Sequence, residues 1–228
     1  MNNDHEWPPV AGDFDVNDPS HCVAICTLGK RIEIPGQYAI AGSCKTENIG
    51  IERIIINIIS NPNIRYLIVA GPEVPGHLTG RSLRALFLNG VDPDTRKIIG
   101  AEGAIPYIEN VPPEGIDRFR EQIELIDMIN VLSLSQITEK VEQLAGQNPG
   151  LFSKDALWIE FKPASGEARR AISSATIIIL PEYDLLLESN SSLMAKQEAH
   201  AIVTEHPSSI VIEVRESDTG TILVGKEA

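Results

Sequence analysis

The sequence predicts an α/β protein: a doubly wound domain on a mostly parallel sheet over residues 1–150, followed by a small α+β appendage over 151–228. Three observations lead there. Short β-branched runs alternate with amphipathic stretches from residue 22 to about residue 150, the order that builds parallel sheets covered by helices. The run IRYLIVAG (64–71) is apolar without alternation, as a strand covered on both faces must be. Beyond residue 150 the balance shifts to strand-like runs, LWIEFKP, ATIIILPEYDLLLES and SIVIEVRESDTGTILVG, the last with SDTG as a hairpin turn.

The elements follow in order. Residues 1–21 are polar, acidic and rich in proline, an irregular arm with Trp7 as its anchor, and CVAICTLG (22–29) is the first strand. In SCKTENIGIERIIINIISNPN the residues Ile51, Ile54, Ile55, Ile58 and Ile59 recur at helical spacing. Thr46 and Asn48 are candidate caps of that helix, Glu47 complements its dipole, and SNPN ends it. The same amino-terminal amides could instead receive a ligand's polar groups. After the strand at 64–71 comes the loop GPEVPGHLTG (71–80), with Thr79 as cap of a helix RSLRALFLNG that turns Leu83, Leu86 and Phe87 inward and stops at Gly90. KIIGAEGAIPYIEN (97–110) gives a third short strand and a second glycine-rich loop. A helix over 113–127 carries Ile116, Phe119, Ile123 and Ile126 on one face, MINVLS is a strand, and a last helix runs from a Ser135 cap to Gly146. In the appendage SLMAKQEAHAIVTEH (192–206) has the pattern of one helix, with His200 on its surface.

Composition narrows the functions. A net charge of −13 and only 5% aromatic residues argue against a nucleic-acid partner, which needs cations for its phosphates and rings for its bases. The amino terminus lacks the basic and apolar segments of a secretory signal, and no apolar run approaches the roughly 20 residues of a membrane span. A cytoplasmic, soluble protein is expected. Three cysteines do not make a disulfide framework. Cys22 and Cys26, four apart and so on one face of a strand, could join Cys44 and His21 around zinc, yet the spacing lacks the tight pairs of such sites and the packing role is preferred.

No Gly-x-Ser-x-Gly elbow, P-loop, HExxH or Gly-x-Gly-x-x-Gly fingerprint occurs. What remains is His77, between Gly76 and Gly80, on a loop leaving the carboxyl end of a buried strand, where open α/β sheets bind ligands. A single imidazole there suits one bond to a metal that brings most of its own ligands, as in a tetrapyrrole-like cofactor.

CVAICTLG, AIAGSCKTENIGIERIIINIISNPNIRYLIVAGPEVPGHLTG and NGVDPDTRKIIGAEGAIPYIENVP together resemble the corrinoid-carrying A-subunit of tetrahydromethanopterin S-methyltransferase, from about Trp7 to about Gly150. The resemblance implies a cytoplasmic Rossmann-like domain that binds a cobamide, cobalamin or its 5-hydroxybenzimidazolyl counterpart. His77 matches the histidine that gives cobalt its lower axial nitrogen. The cobalt, cycling between cobalt(I) and methyl-cobalt(III), would carry methyl from methyl-tetrahydromethanopterin to coenzyme M between donor and acceptor methyltransferase subunits, so the chain is a carrier and an enzyme only with those partners. Carried over as cofactor-binding residues are Gly76, Leu78, Thr79 and Gly80 beside His77, then Thr46, Glu47 and Asn48, then Gly29, Gly103, Ala104 and Ile105. Two departures stand out. In the Asp-x-His-x-x-Gly signature of other corrinoid methyltransferases Pro75 occupies the aspartate's place, leaving Glu73, Thr79, Glu47 or a backbone carbonyl to orient the imidazole. Where the family has a carboxyl-terminal transmembrane helix this chain has its appendage, which puts sodium pumping in doubt and points to a paralogue without direct membrane span. The alternatives are a regulatory or assembly module of the same fold without corrinoid, and a stand-alone α/β enzyme using His77 as acid or base.

Overall fold

The computed structural model describes residues 6–162, and beyond them the backbone of strands between residues 177 and 227. The chain divides into two compact units, Met1–Pro163 and Ala164–Ala228.

In the first unit β1 (Phe14–Val16), β2 (Val23–Cys26), β3 (Ile40–Gly42), β4 (Tyr66–Gly71) and β5 (Glu124–Ile129) form one sheet in the order β1-β3-β2-β4-β5. All neighbouring pairs are parallel except the edge strand β1, which runs antiparallel to β3. The pleat sends alternate residues to opposite faces. Ala24, Cys26, Leu67 and Val69 meet a core built by α1 (Ile49–Ile59), α2 (Thr79–Asn89) and α3 (Pro113–Gln122), whereas Val23, Ile25, Ile68 and Ala70 meet Ile137, Val141 and Leu144 of α4 (Leu134–Gly146). Helices on both faces are what the unalternating strand required. The fold class is therefore the expected one, a doubly wound α/β domain with a mostly parallel sheet.

Helix α1 organises its surroundings. Asn48 Oδ1 accepts from the Ile49 amide (2.7 Å) and Thr46 Oγ1 from the Gly50 amide (3.0 Å), so both candidate caps act as caps. Buried Glu52 accepts from the amides of Glu109 (2.6 Å) and Asn110 (2.7 Å), pinning that loop. Asn57 exchanges both hydrogen bonds with the Val10 backbone, and Trp7 Nε1 donates to the Asn57 carbonyl at 2.7 Å. The arm is thus anchored by Trp7 as expected, but it is not wholly irregular, because residues 14–16 pair with β3 as β1.

Several boundaries differ from expectation. The helix expected over 113–127 ends at Gln122, because Gln122 Nε2 donates to the carbonyls of Ile58, Asn61 and Ile64 at 2.9, 2.9 and 3.1 Å and the chain then enters parallel register with β4 at Tyr66↔Glu124. Ile126 consequently lies on a strand, and MINVLS contributes only its first two residues to it. The strand expected in 97–110 is reduced to the isolated bridges Val91↔Ile98 and Lys97↔Tyr107. Ser133, not Ser135, caps α4 through the Gln136 amide. Cys22 lies just before β2, outside its alternation, and joins the α4-side core while Cys26 joins the other. LWIEFKP forms no strand over its described residues; instead Leu157 donates its amide to the Ile59 carbonyl at 3.0 Å, and Leu157, Ile159 and Phe161 pack on the first unit's core.

In the second unit β6 (Ile177–Leu180), β7 (Leu185–Glu188) and β8 (Leu193–Lys196) form one antiparallel sheet, and β9 (Ala201–Val203), β10 (Ile210–Ser217) and β11 (Gly220–Glu227) another. The expected hairpin closes at Ser217↔Gly220. The helix expected over 192–206 is replaced by β8 and β9, where strand partners override local helical spacing. His200 lies outside the described residues. Among the described residues no helix is long and apolar enough to cross a membrane.

Gln122 is 1% exposed and serves three carbonyls at the α1–β4 turn. Gln122→Leu keeps its volume and strips those bonds, so urea unfolding should show a loss of about 1–3 kcal/mol with an unchanged slope; unaltered stability would show that the turn does not depend on it.

Candidate functional site

The parallel strands end on one edge of the sheet, and the loops that leave β3, β4 and β5 gather there. The β4 loop turns on Gly76, whose φ of 78° suits glycine, and Leu78 takes a left-handed conformation at the start of α2. Thr79 does not cap that helix: it is its first residue, and Glu73 reaches across to accept from the amides of Gly80 (2.9 Å) and Arg81 (3.0 Å). A carboxylate at a helix amino terminus is favourable twice over, by hydrogen bonding and by the dipole.

His77 is held from another loop. Its Nδ1 lies 2.5 Å from Glu47 Oε2, and the side chains are 14% and 1% exposed. The second oxygen, Oε1, accepts from the Ile105 amide at 2.6 Å. A carboxylate accepts and does not donate, so Nδ1 carries a hydrogen toward Glu47. Of the possible orienting groups Glu47 is in place on Nδ1, while Glu73 is spent on α2. The loop of Gly103 closes the arrangement, since a Cβ there would stand 2.2 Å from the His77 carbonyl oxygen and 2.9 Å from Glu47 Cγ. Only glycine permits that approach.

The structure sorts the remaining candidates. Asn48 and Thr46 are engaged as caps of α1. Gly29 donates its amide to the Pro72 carbonyl (3.3 Å) and so supports the β4 loop, and Gly80 packs under Leu28 and Ile129. Ala104 is exposed, and Ile105 acts through its amide. Thr79 Oγ1 is buried and unpartnered, as is the hydroxyl of Ser82 one turn on. Ser82 was invisible to motif reading, and its only signal would have been a hydroxyl on the inward side of α2 near the glycine loop. Cys44, just before the site, keeps its proton: the hydrogen bond with Cys26 and burial push its thiol well up.

The donor set suits a single imidazole bond to a metal that brings most of its own ligands. An imidazole whose far nitrogen is held by a buried carboxylate is the arrangement that fixes tautomer and ring orientation for a metal. Beside it the buried hydroxyls of Thr79 and Ser82 have no hydrogen-bond partner among the described residues, and Gly103 packs against the His77 carbonyl. Long-range nitrogen NMR of the imidazole should report the Nδ1–H tautomer in the wild type and its loss in Glu47→Ala; a wild-type Nε2–H tautomer would contradict the geometry. In Gly103→Ala the loop must move, so the Ile105 amide should lose its protection from hydrogen exchange, and undiminished protection would sink the close approach.

Residues 1–169 match the MtrA family, the A-subunits of tetrahydromethanopterin S-methyltransferase. The chain is 50% identical over 181 residues to A-subunit 1 of that enzyme from Methanobrevibacter ruminantium, covering 76% of this chain and 74% of the relative. It is 49% identical to A-subunit 1 from Methanothermobacter thermautotrophicus, with 76% of each covered, and 44% identical to the A-subunit from Methanopyrus kandleri, with 76% and 75% covered. A match of that extent settles kinship: the chain belongs to the MtrA family of tetrahydromethanopterin S-methyltransferase subunits.

Proposed function

We propose that the chain is a cytoplasmic cobamide-binding methyl carrier that works between methyl-donor and methyl-acceptor subunits, with His77 Nε2 as the protein's ligand to cobalt. The observation that carries this reading is the Glu47–His77 pair, because a buried carboxylate on Nδ1 is costly to build and serves to present Nε2 in one direction. Bound at this edge by His77, a cobamide would supply the cobalt chemistry for carrying a methyl group between partner subunits.

The chain's own residues then have definite tasks. Glu47 holds the proton at Nδ1 and fixes the ring plane, and the Ile105 amide holds Glu47. Glu73 keeps the β4 loop on α2, so that His77 is carried by a rigid helix start. Thr79 and Ser82 lie fully buried at the start of that helix, beneath the loop of Gly103. The family kinship supports a place within a multi-subunit methyltransferase, the kind of enzyme the relatives' names describe.

The test uses the full chain mixed with cobalamin and freed of unbound cofactor. Wild type should retain the visible corrinoid bands, His77→Ala should change the spectrum and bind at least tenfold more weakly, and Glu47→Gln should cost about 10–100-fold in affinity. No retained bands in the wild type would overturn the carrier reading, and identical spectra for wild type and His77→Ala would remove His77 as the ligand.

A further inference from the structure

A second feature lies on the other side of the loop that carries Glu47. Between α1 and strands β2 and β3, roofed by the arm at Gly12–Phe14, is a cavity of about 270 Å³. Its walls are apolar, with Ala24, Ile40, Ile54, Ile58 and Leu67 among them. An apolar cavity of about 150 Å³ is enough for benzene, so this one has room for a ring with a substituent. His77 does not line it.

The mouth of the cavity is cationic. Lys45 and Arg53 both line it and both are exposed. Neither has an ion-pair partner within 4 Å among the described residues; Arg53 has only the Phe161 ring, 5.8 Å from its guanidinium carbon. The one acid that lines the cavity, Asp13, bonds Arg31 (2.7 Å) and the Ser43 hydroxyl (2.6 Å) and also feels the charge of Lys45, while Arg31 is shared with Asp15. In a chain with a net charge of −13, two cations without a close ion pair among the described residues stand together at the mouth of an apolar cavity.

We infer that this cavity is a binding site for a compact ring bearing an anionic oxygen group, a phosphate or a carboxylate, with the ring among the isoleucines and the anion between Lys45 and Arg53. The ring is held by burial and the anion by charge-assisted hydrogen bonds. Thr46 lines the cavity and its neighbour Glu47 orients His77, so occupancy bears on the stretch that also fixes the imidazole. Such a ligand has two sources, a free small molecule or the phosphate-bearing nucleotide tail of a corrinoid held at His77.

The probes are phenyl phosphate and its neutral counterpart benzyl alcohol, titrated calorimetrically into the full chain. Phenyl phosphate should bind about tenfold more tightly than the alcohol. The Lys45→Gln/Arg53→Gln double variant, which alters only exposed side chains, should erase that preference while its thermal unfolding stays that of wild type. Ala24→Leu, which fills the cavity from β2, should abolish binding of both probes. Absence of phenyl phosphate binding to wild type, or an undiminished preference in the double variant, overturns the proposal. Displacement of phenyl phosphate by cobalamin but not by cobinamide, which lacks the nucleotide, upholds the site with the corrinoid as source. Retention beside bound cobalamin upholds it with a free ligand. If cobalamin fails to bind at all while phenyl phosphate binds, the carrier reading falls and the cavity stands.

Discussion

The site depends on one buried carboxylate. Glu47 sits in the interior with an oxygen on His77 and an oxygen on the Ile105 amide, and burial of such a group is tolerable only because both oxygens are satisfied. Three loops that are distant in sequence are joined at that point. Glu52 does the same for the 109–110 loop and Asn57 for the amino-terminal arm, so α1 and the residues just before it tie the carboxyl edge, the glycine loop and the arm to one element. The isoleucines on its other side fix it to the sheet.

The fold was legible wherever burial on two faces or helical spacing left a single solution, as in β4 and α1. It failed where a long-range contact decided. Ile116, Phe119, Ile123 and Ile126 continue helical spacing past Gln122, but the Gln122 amide is taken by three carbonyls of the α1–β4 turn and the next residues pair with β4. Strands as short as β1 and β3, three residues each, carry too little pattern to be seen, and β8 and β9 owe their state to partners rather than to local preference.

The site shows the same division. His77 was singled out by a local signal, glycines on a loop after a buried strand. Its orienting partner could not be chosen, because the familiar pattern places an acid two residues ahead, where this chain has Pro75, and the acid in fact comes from 30 residues upstream. Glu73, the nearer candidate, is diverted to the amides of α2. Ser82 had no motif at all, and its orphaned hydroxyl emerges only once the helix is docked. The stretch Ser43–Glu47, in sequence a simple helix entry, carries the partner of His77 and also lines the cavity beside Lys45 and Arg53.

The most direct measurement is electron paramagnetic resonance of the chain loaded with cobalamin in the cobalt(II) state, prepared once with natural-abundance histidine and once with ¹⁵N-histidine. If His77 is the axial ligand, the nitrogen superhyperfine pattern changes from triplets to doublets on labelling, and the change is absent in His77→Ala. Triplets that persist in the ¹⁵N-histidine protein would mean that cobalt takes its nitrogen from elsewhere, and would contradict the role given to the Glu47–His77 pair.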